Sequence, residues 1–562
     1  MNILKNTHWL LFCIFLTACA RQTTPTGGPK DSIPPTLVNS NPVHEQLNFS
    51  GKTIDMTFSE AVILNNPKEQ LIITPDLGED VDVKTKKNQV TITLTNALKE
   101  NTTYSINFRE AIQDITEKNP AQMLKLAFST GDYIDSLSID GTIYDLLTGK
   151  ELKDATIGLY TSDTFNIFKH RPTYLTKSDS KGKFKIENLK PAQYFIYGLD
   201  DKNKNLIADS RTESYGFLRE PIVLAKDTSQ ISIPLFRLDS RPLKLTSARP
   251  FGTYFNIKTT KSLTSYALSA NKEKNIVSSF GEDLSNIKVY NTFKDMDSVQ
   301  IHFTARDSLS NILDTLLYVK FLERDTRPEP FEFSLQNFQL TNTKGILKGQ
   351  IKFSKPIEQI NFDSLYYVID STRIVPFSPE NFSWDTLNNL LSIEKKIDRS
   401  LLIPQKEEQQ KQPSTPQLTT KNKQTTTTNN QLHLGKSAFI SIESDSSKRI
   451  TEKITPMKLE DTGIIFVQVE TKAPHFIIQL LTSDFKVIDT KRNIKKTSFE
   501  DLKPGDYQIR LIVDKNDDGK WDAGDYFLKD EPEHVVFYKN EKGVALINLK
   551  ANWELGPLLI KD

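Results

Sequence analysis

Apolar residues in this chain recur at every second position, and that pattern restricts it to β structure. Ile54, Met56 and Phe58 alternate with polar residues, as do Val90, Ile92 and Leu94, and then Tyr104, Ile106 and Phe108. Successive side chains of a strand point to opposite faces, so such runs bury one face and wet the other. Sheets of that kind pack as antiparallel sandwiches. Turn-forming clusters such as Pro75-Asp76-Leu77-Gly78 and Lys118-Asn119-Pro120 separate the runs. Helical periodicity is nearly absent. Its best instance, Leu309, Ile312, Leu313 and Leu316, is short, and reads equally well as a turn followed by a strand over Thr315–Phe321. The expected fold class is therefore all-β, a series of tandem antiparallel β-sandwiches. The 562 residues suffice for about four domains at roughly 150 residues each.

Composition removes several function classes. Lys and Arg total 72 against 71 Asp and Glu, a net charge of +1. Bulk electrostatics thus gives no case for nucleic acid. Both cysteines lie within the first 19 residues, so nothing beyond them can form a disulfide, a thiolate metal site or a cysteine nucleophile. The histidines stand singly, at 8, 44, 170, 302, 433, 475 and 534, and no HExxH, HxH or GxSxG occurs. No grouping of acid, base and nucleophile emerges. Glu60 has the look of a catalytic acid but reads as a solvated or turn-capping carboxylate. Trp384, Trp521 and Trp553 could stack on sugars and read instead as packing residues. The basic runs Lys84-Thr85-Lys86-Lys87 and Lys495-Lys496 read as wet hairpin tips.

The N-terminus is an address. Lys5 precedes an apolar run, Trp9 to Leu16, that is too short for the roughly 20 residues a bilayer span needs. It ends in Leu16-Thr17-Ala18-Cys19, which resembles a bacterial lipobox. That resemblance implies a lipoprotein signal peptide over 1–19, cleavage before Cys19, diacylglycerol on its sulfur and an added N-acyl chain. Several chains make the membrane attachment firm. An ordinary signal peptide with an incidental cysteine is the other reading. Ala20 is not Asp, which favours the outer membrane. Ala20 to Thr24 hold no acidic cluster of the kind that follows the lipidated cysteine in surface-exported lipoproteins of Bacteroidota, which favours the periplasmic face. Residues 20–32 are rich in Pro and Gly and serve as a tether.

Residues 33–131 resemble the bacterial Ig-like domain named after S-layer proteins (the SbsA or Big_5 type). Pro34-Pro35-Thr36, Thr57-Phe58-Ser59-Glu60-Ala61-Val62, Leu98 with Asn101-Thr102-Thr103-Tyr104, and Phe128-Ser129-Thr130 carry the likeness. Residues 136–238 resemble a transthyretin-like, carboxypeptidase-regulatory-type sandwich, through Ile139-Asp140-Gly141-Thr142, Asp154-Ala155-Thr156-Ile157, Ser180-Lys181-Gly182-Lys183-Phe184 and Leu189-Lys190-Pro191-Ala192-Gln193-Tyr194. Leu502-Lys503-Pro504-Gly505-Asp506-Tyr507 repeats the last of these at an offset of 313 residues (502 − 189). The same offset aligns Asp201-Lys202-Asn203 with Asp514-Lys515-Asn516, and Asp209 with Asp522. A match held over that length argues duplication. Residues 454–562 are thus expected to be a second transthyretin-like sandwich, with Ala551-Asn552-Trp553-Glu554 in its last strand. Residues 239–327 and 331–452 read as further Ig-like sandwiches. Gln405–Gln431 is Gln, Lys, Thr and Pro with almost no apolar residue, and reads as a disordered insertion near the end of the fourth unit. The whole series resembles Ig-like domain-containing outer-membrane lipoproteins of Bacteroidota, a resemblance that brings no catalytic residues with it.

One constellation carries ligand chemistry. The segment Asp514 to Asp525 places oxygen ligands Asp514, Asn516, Asp518, Asp522 and Asp525 at loop positions 1, 3, 5, 9 and 12, with Gly519 at 6. Calcium takes six to eight oxygens, and the EF-hand loop uses these positions. Asp525 replaces the bidentate Glu, and no helical pattern flanks the loop. A structural calcium is one reading; an acidic turn without metal is the other, since Asp, Asn and Gly are also turn residues. The earlier copy keeps Asp201, Asn203, Asn205 and Asp209 but has Leu206 in place of the Gly, and reads more readily as an Asx-rich turn.

These features point to a non-enzymatic, membrane-anchored string of sandwiches that docks an envelope protein or glycan, for example as an accessory of an outer-membrane assembly, export or uptake machine. A polysaccharide-active enzyme with an unrecognised site, a glycan-binding protein and a mechanical spacer are the alternatives. No nucleic-acid partner is expected.

Overall fold

The computed structural model describes residues 31–562 except 79–80, 123, 271–275, 293–297, 322–327, 342–343, 371 and 403–428. The signal segment, Cys19, nearly all of the tether and most of the Gln405–Gln431 tract lie outside the described residues.

The chain is all-β, and its period-2 runs decide which faces are inside. In the first sandwich one sheet runs Leu37–Asn41, Thr53–Phe58, Gln89–Leu94, Val81–Lys86. A second runs Ile72–Thr74, Thr103–Asn107, Lys125–Ser129. The alternating triads Ile54/Met56/Phe58, Val90/Ile92/Leu94 and Tyr104/Ile106/Phe108 all enter the core between them, none more than 4% exposed. Glu60 follows the strand Thr53–Phe58 in a bend. Its carboxyl is pushed up by burial and then by the nearby charges of Asp114 and Asp31.

The duplication read from the sequence is a duplication of topology. One module has sheets ordered Lys183–Leu189, Leu137–Asp145, Thr228–Leu235 and Tyr174–Lys177, Thr156–Tyr160, Ala192–Leu199, Tyr215–Phe217. The other has Lys496–Leu502, Gly463–Glu470, Glu554–Lys561 and Val487–Arg492, Phe476–Thr482, Gly505–Val513, Val535–Phe537, in the same order. In each, a tyrosine hydroxyl reaches back four residues to a carbonyl, Tyr194 to Lys190 at 3.0 Å and Tyr507 to Lys503 at 2.6 Å. The sheets are not wholly antiparallel: the first and last strands of each module pair in parallel. The final strand is Glu554–Lys561, later than the Ala551–Glu554 expected. Ala551 and Asn552 form a turn there, with Asn552 left-handed at φ 59°.

Between the modules lie two more sandwiches. The first pairs a sheet of Leu245–Phe251, Tyr254–Thr259, Asn286–Tyr290 and Ser278–Phe280 with one of Ser265–Ala270, Val299–Arg306 and Ile312–Val319. The ambiguous stretch at 309–316 is thus a turn leading into a strand, because Leu313 and Leu317 are drawn to the core while Ile312 and Leu316 stay outside. The next is built on Phe382–Asp385, Leu390–Lys396, Ile346–Phe353, Phe333–Thr341 and Pro456–Met457, facing Ile374–Pro376, Leu365–Val368, Gln431–Leu434 and Ile450–Lys453. Two buried lysines are paired with acids, Lys261 with Asp307 at 2.5 Å, and Lys355 with Glu443 and Asp445 at 2.5 and 2.6 Å. A lone buried charge there would be strongly destabilising.

The sandwiches do not run as an open string, which corrects that expectation. The two duplicated modules share one hydrophobic core. Tyr160, Tyr197, Tyr215, Phe217 and Phe236 of the first meet Ile477, Ile512, Ala523, Tyr526 and Val535 of the second. Tyr526 is the centre, with ring centroids 4.9 Å from Phe168, 5.7 Å from Phe217 and 6.0 Å from Tyr197. Around the aromatic contact, Arg510 donates to the Leu147 carbonyl at 2.8 Å, Lys529 to the Tyr197 hydroxyl at 2.6 Å and the Arg219 amide to Glu531 at 2.8 Å. The chain therefore closes on itself, and residues 239–453 form the return path. Further junctions reinforce it. Arg171 pairs with Asp76 at 2.9 Å, the Asn389 amide donates to Ser279 at 2.9 Å, and Lys344 pairs with Glu500 at 2.8 Å.

Candidate functional site: the duplicated Asp-rich loops

Each loop leaves the strand that carries the tyrosine, and each is folded by the same acceptors. Asp514 is 2% exposed. Its carboxylate accepts the amides of Asp518 at 3.1 Å and Gly519 at 2.9 Å. Asp201 accepts the amides of Asn205 at 3.2 Å and Leu206 at 3.0 Å, the equivalent positions. Asn516 and Asn203 repeat a second shared bond, each accepting from the residue two further on. The chain turns left-handed at the sixth position of both loops, φ 79° at Gly519 and 63° at Leu206. Glycine takes that conformation freely and leucine only with strain.

The pattern of acids hid the residue that matters most to the loop backbone. Glu533 is 2% exposed and lies behind its loop, accepting the amides of Lys515 at 2.5 Å and Asp522 at 3.0 Å. Glu213 is fully buried and accepts the amides of Lys202, Asn203 and Asp209 at 2.9, 3.2 and 2.8 Å. The two glutamates do the same work, yet they are not at the 313-residue offset, because the second loop is longer. That length difference is why the ungapped repeat did not reveal them. A buried acid repeated after both loops was the available signal.

The expected ligands are not all brought together. Asn516 donates to Asp522 at 2.7 Å. Burial, then the charges of Asp518 and Asp514, push the Asp522 carboxyl above its usual range. Asp514, Asn516, Asp518 and Asp522 therefore share one neighbourhood. Asp525 does not join it, because its carboxylate accepts the amides of Phe527 at 2.7 Å and Leu528 at 3.2 Å in its own turn. Arg492 stands over the loop, donating to the Asp517 carbonyl and carboxylate at 3.0 Å each. Among the described residues no group of three or more His, Cys, Asp or Glu side chains is gathered closely enough to hold a metal ion. The oxygen set suits calcium in kind. In the earlier loop Asp201, Asn203 and Asn205 hold backbone amides, and Asp209 accepts from Arg211 at 2.9 Å.

Trp521 and Trp384 are packing residues here. Trp521 donates to the Glu533 carbonyl at 3.1 Å and meets Phe236, and Trp384 packs on Phe353. Trp553 is 43% exposed, with the Lys550 ammonium over its ring.

Residues 31–130 match the family model of the bacterial Ig-like domain. That is the segment where the Pro-Pro-Thr and Phe-Ser-Glu motifs stand. No curated protein matches the chain. Among solved structures, the N-terminal part of the bacterial S-layer protein SbsC is 14% identical, over 30% of this chain and 40% of that one, at a TM-score of 0.14. The human desmocollin-1 ectodomain is 10% identical over 53% and 60% of the two chains, with a TM-score of 0.15. A Bacteroides ovatus glucan-locus protein, SGBP-B, solved with a mixed-linkage heptasaccharide, is 10% identical over 65% and 84%, with a TM-score of 0.12. The chain thus spans 40% and 60% of the first two proteins. At such TM-scores none of the three carries an argument about function.

Proposed function

We propose that this chain is a non-enzymatic lipoprotein, held in the outer membrane through Cys19 and facing the periplasm. Its closed frame of sandwiches presents fixed docking surfaces to an envelope protein or glycan, as an accessory of an assembly, export or uptake machine. The observation that supports this is the shared aromatic core around Tyr526, which fixes two modules more than three hundred positions apart in sequence against each other. A frame so closed holds surfaces in constant relation, which suits docking better than a flexible spacer would. Two measurements test the reading. Cys19→Ser should lose a fatty-acid label and move to the soluble fraction; equal labelling would defeat the anchor. Purification from gently solubilised outer membranes should yield a stoichiometric complex; a lone chain with hydrolase activity on envelope polysaccharide would defeat the docking role.

We propose in addition that calcium clamps the Asp514–Asp522 loop. Asp514, Asn516, Asp518 and Asp522 would hold it, and Asp525 would not. The ion would relieve the mutual repulsion that raises Asp522.

A further inference from the structure

We propose that the strand Ile312–Val319 is a self-pairing edge, through which two copies of this chain join their sheets. The three-stranded sheet ends at this strand, which has a hydrogen-bonded neighbour on one side only, Val299–Arg306. On its other side, alternate residues of this eight-residue strand present backbone N–H and C=O groups to no neighbouring strand among the described residues. Natural edge strands are blunted by charge, by Pro or by short length, because an open row of N–H and C=O groups templates another strand. Three other edges of this protein follow that rule. Val81–Lys86 carries Asp82, Lys84 and Lys86, Val487–Arg492 carries Asp489, Lys491 and Arg492, and Leu245–Phe251 carries Arg249 and Pro250.

Ile312–Val319 breaks the rule. Its outward residues are Ile312, Asp314, Leu316 and Tyr318, and the three apolar ones are 55%, 58% and 66% exposed. The single charge, Asp314, is engaged by His302 of the neighbouring strand at 2.5 Å. Gln300 holds the Tyr318 hydroxyl at 3.1 Å. Three of the four outward side chains are thus apolar, and Gln300 positions Tyr318 among them.

The occupant is a second copy because the strand complements itself. Antiparallel pairing must keep outward residues outward, so outward positions have to face outward positions. The register centred on Leu316 does so. It sets Leu316 against Leu316 of the other copy and Tyr318 against Asp314, a phenol facing a carboxylate, at both ends of a two-fold contact. A two-residue shift in one direction would put Asp314 against Leu316. A two-fold, isologous contact also closes, because it uses the same edge of both copies.

The test uses the full chain carrying Leu316→Cys, compared with Ser269→Cys, an exposed position on the opposite edge of the same sheet. Leu316→Cys should give a covalent dimer of twice the chain mass on a non-reducing gel, and Ser269→Cys should give at least tenfold less. Adding Tyr318→Glu to Leu316→Cys should lower the dimer band at least tenfold. Unchanged melting of that double variant would show that the fold survives, and residue 318 points into solvent. Equal dimer at both positions, no dimer from Leu316→Cys, or a disulfide to a different protein in place of the dimer would each overturn the proposal.

Discussion

The two duplicated modules are a comparison the chain makes with itself. They share sheet order, tyrosine reach-back and loop backbone, yet their loops differ in charge. Asp201 and Asp514 do one job in both, and so do Glu213 and Glu533: they accept the amides that would otherwise be unpaired where the loop turns inward. Only the second loop adds Asp517 and Asp518, and only it has Gly at the left-handed position. The difference separates two roles that look alike in a sequence. The acids that hold the loop backbone are common to both modules, and the calcium proposed for the second loop would draw on Asp514 together with Asp518, where the first loop has Asn205.

The largest test of this pairing of modules is Tyr526→Ala. Removing a buried aromatic ring costs about 3–5 kcal/mol. If the modules form one frame, urea unfolding should lose that stability and segments 136–238 and 454–562 should both gain hydrogen exchange. Exchange confined to 454–562 would break the frame.

Next comes Glu533→Ala, set beside Glu213→Ala. Each leaves buried amides without an acceptor, at about 1–3 kcal/mol. Comparable losses, measured by denaturant titration, would confirm one role in both loops. A loss in one module alone would mean that the loops are held differently.

Calcium should act on one loop. At affinities of about 10⁻⁴–10⁻³ M, 1 mM calcium raises stability by about 0.4–1.4 kcal/mol through linkage. Asp518→Asn, an exposed change, should abolish the rise in melting temperature, while Asp209→Asn should leave it intact. Identical melting of the wild-type chain in calcium and in chelator defeats the calcium proposal. Asp514 is unsuitable for this test, because its carboxylate also holds the loop backbone.

The smallest effect is a pH dependence. The folded state raises the Asp522 carboxyl above its ordinary value of 3.8, so folding favours its protonated form. The native state then binds the proton more tightly than the unfolded chain, and stability falls as pH rises through the raised value. In chelator, Asp522→Asn should therefore be the more stable form at pH 7, and its advantage should vanish as pH falls below 4. An advantage that grows on acidification would show the opposite shift.

Much of this was legible beforehand. The triads Ile54/Met56/Phe58 and Tyr104/Ile106/Phe108 named their own core positions, because a strand has only two faces and water takes the polar one. The repeat Leu189–Tyr194 to Leu502–Tyr507 announced the second module, because turn residues at fixed places constrain the backbone locally. The loop was half legible. Spacing singled out Asp514, Asn516, Asp518, Asp522 and Asp525 as candidate ligands. In the fold Asp525 caps its own turn, and Glu533 was missed because it lies beyond the loop.

What the sequence determined by itself was therefore everything governed by neighbours along the chain: the strand period, the turns, the duplicated module and the acidic loop. What tertiary structure alone decided was which faces found each other. No local pattern marks Tyr197 and Tyr526 as partners, since each is an apolar residue on a strand or loop like many others. They meet because the sheets of both modules keep an apolar second face, whose burial against water is worth more than its exposure, and the return through residues 239–453 lets them reach it.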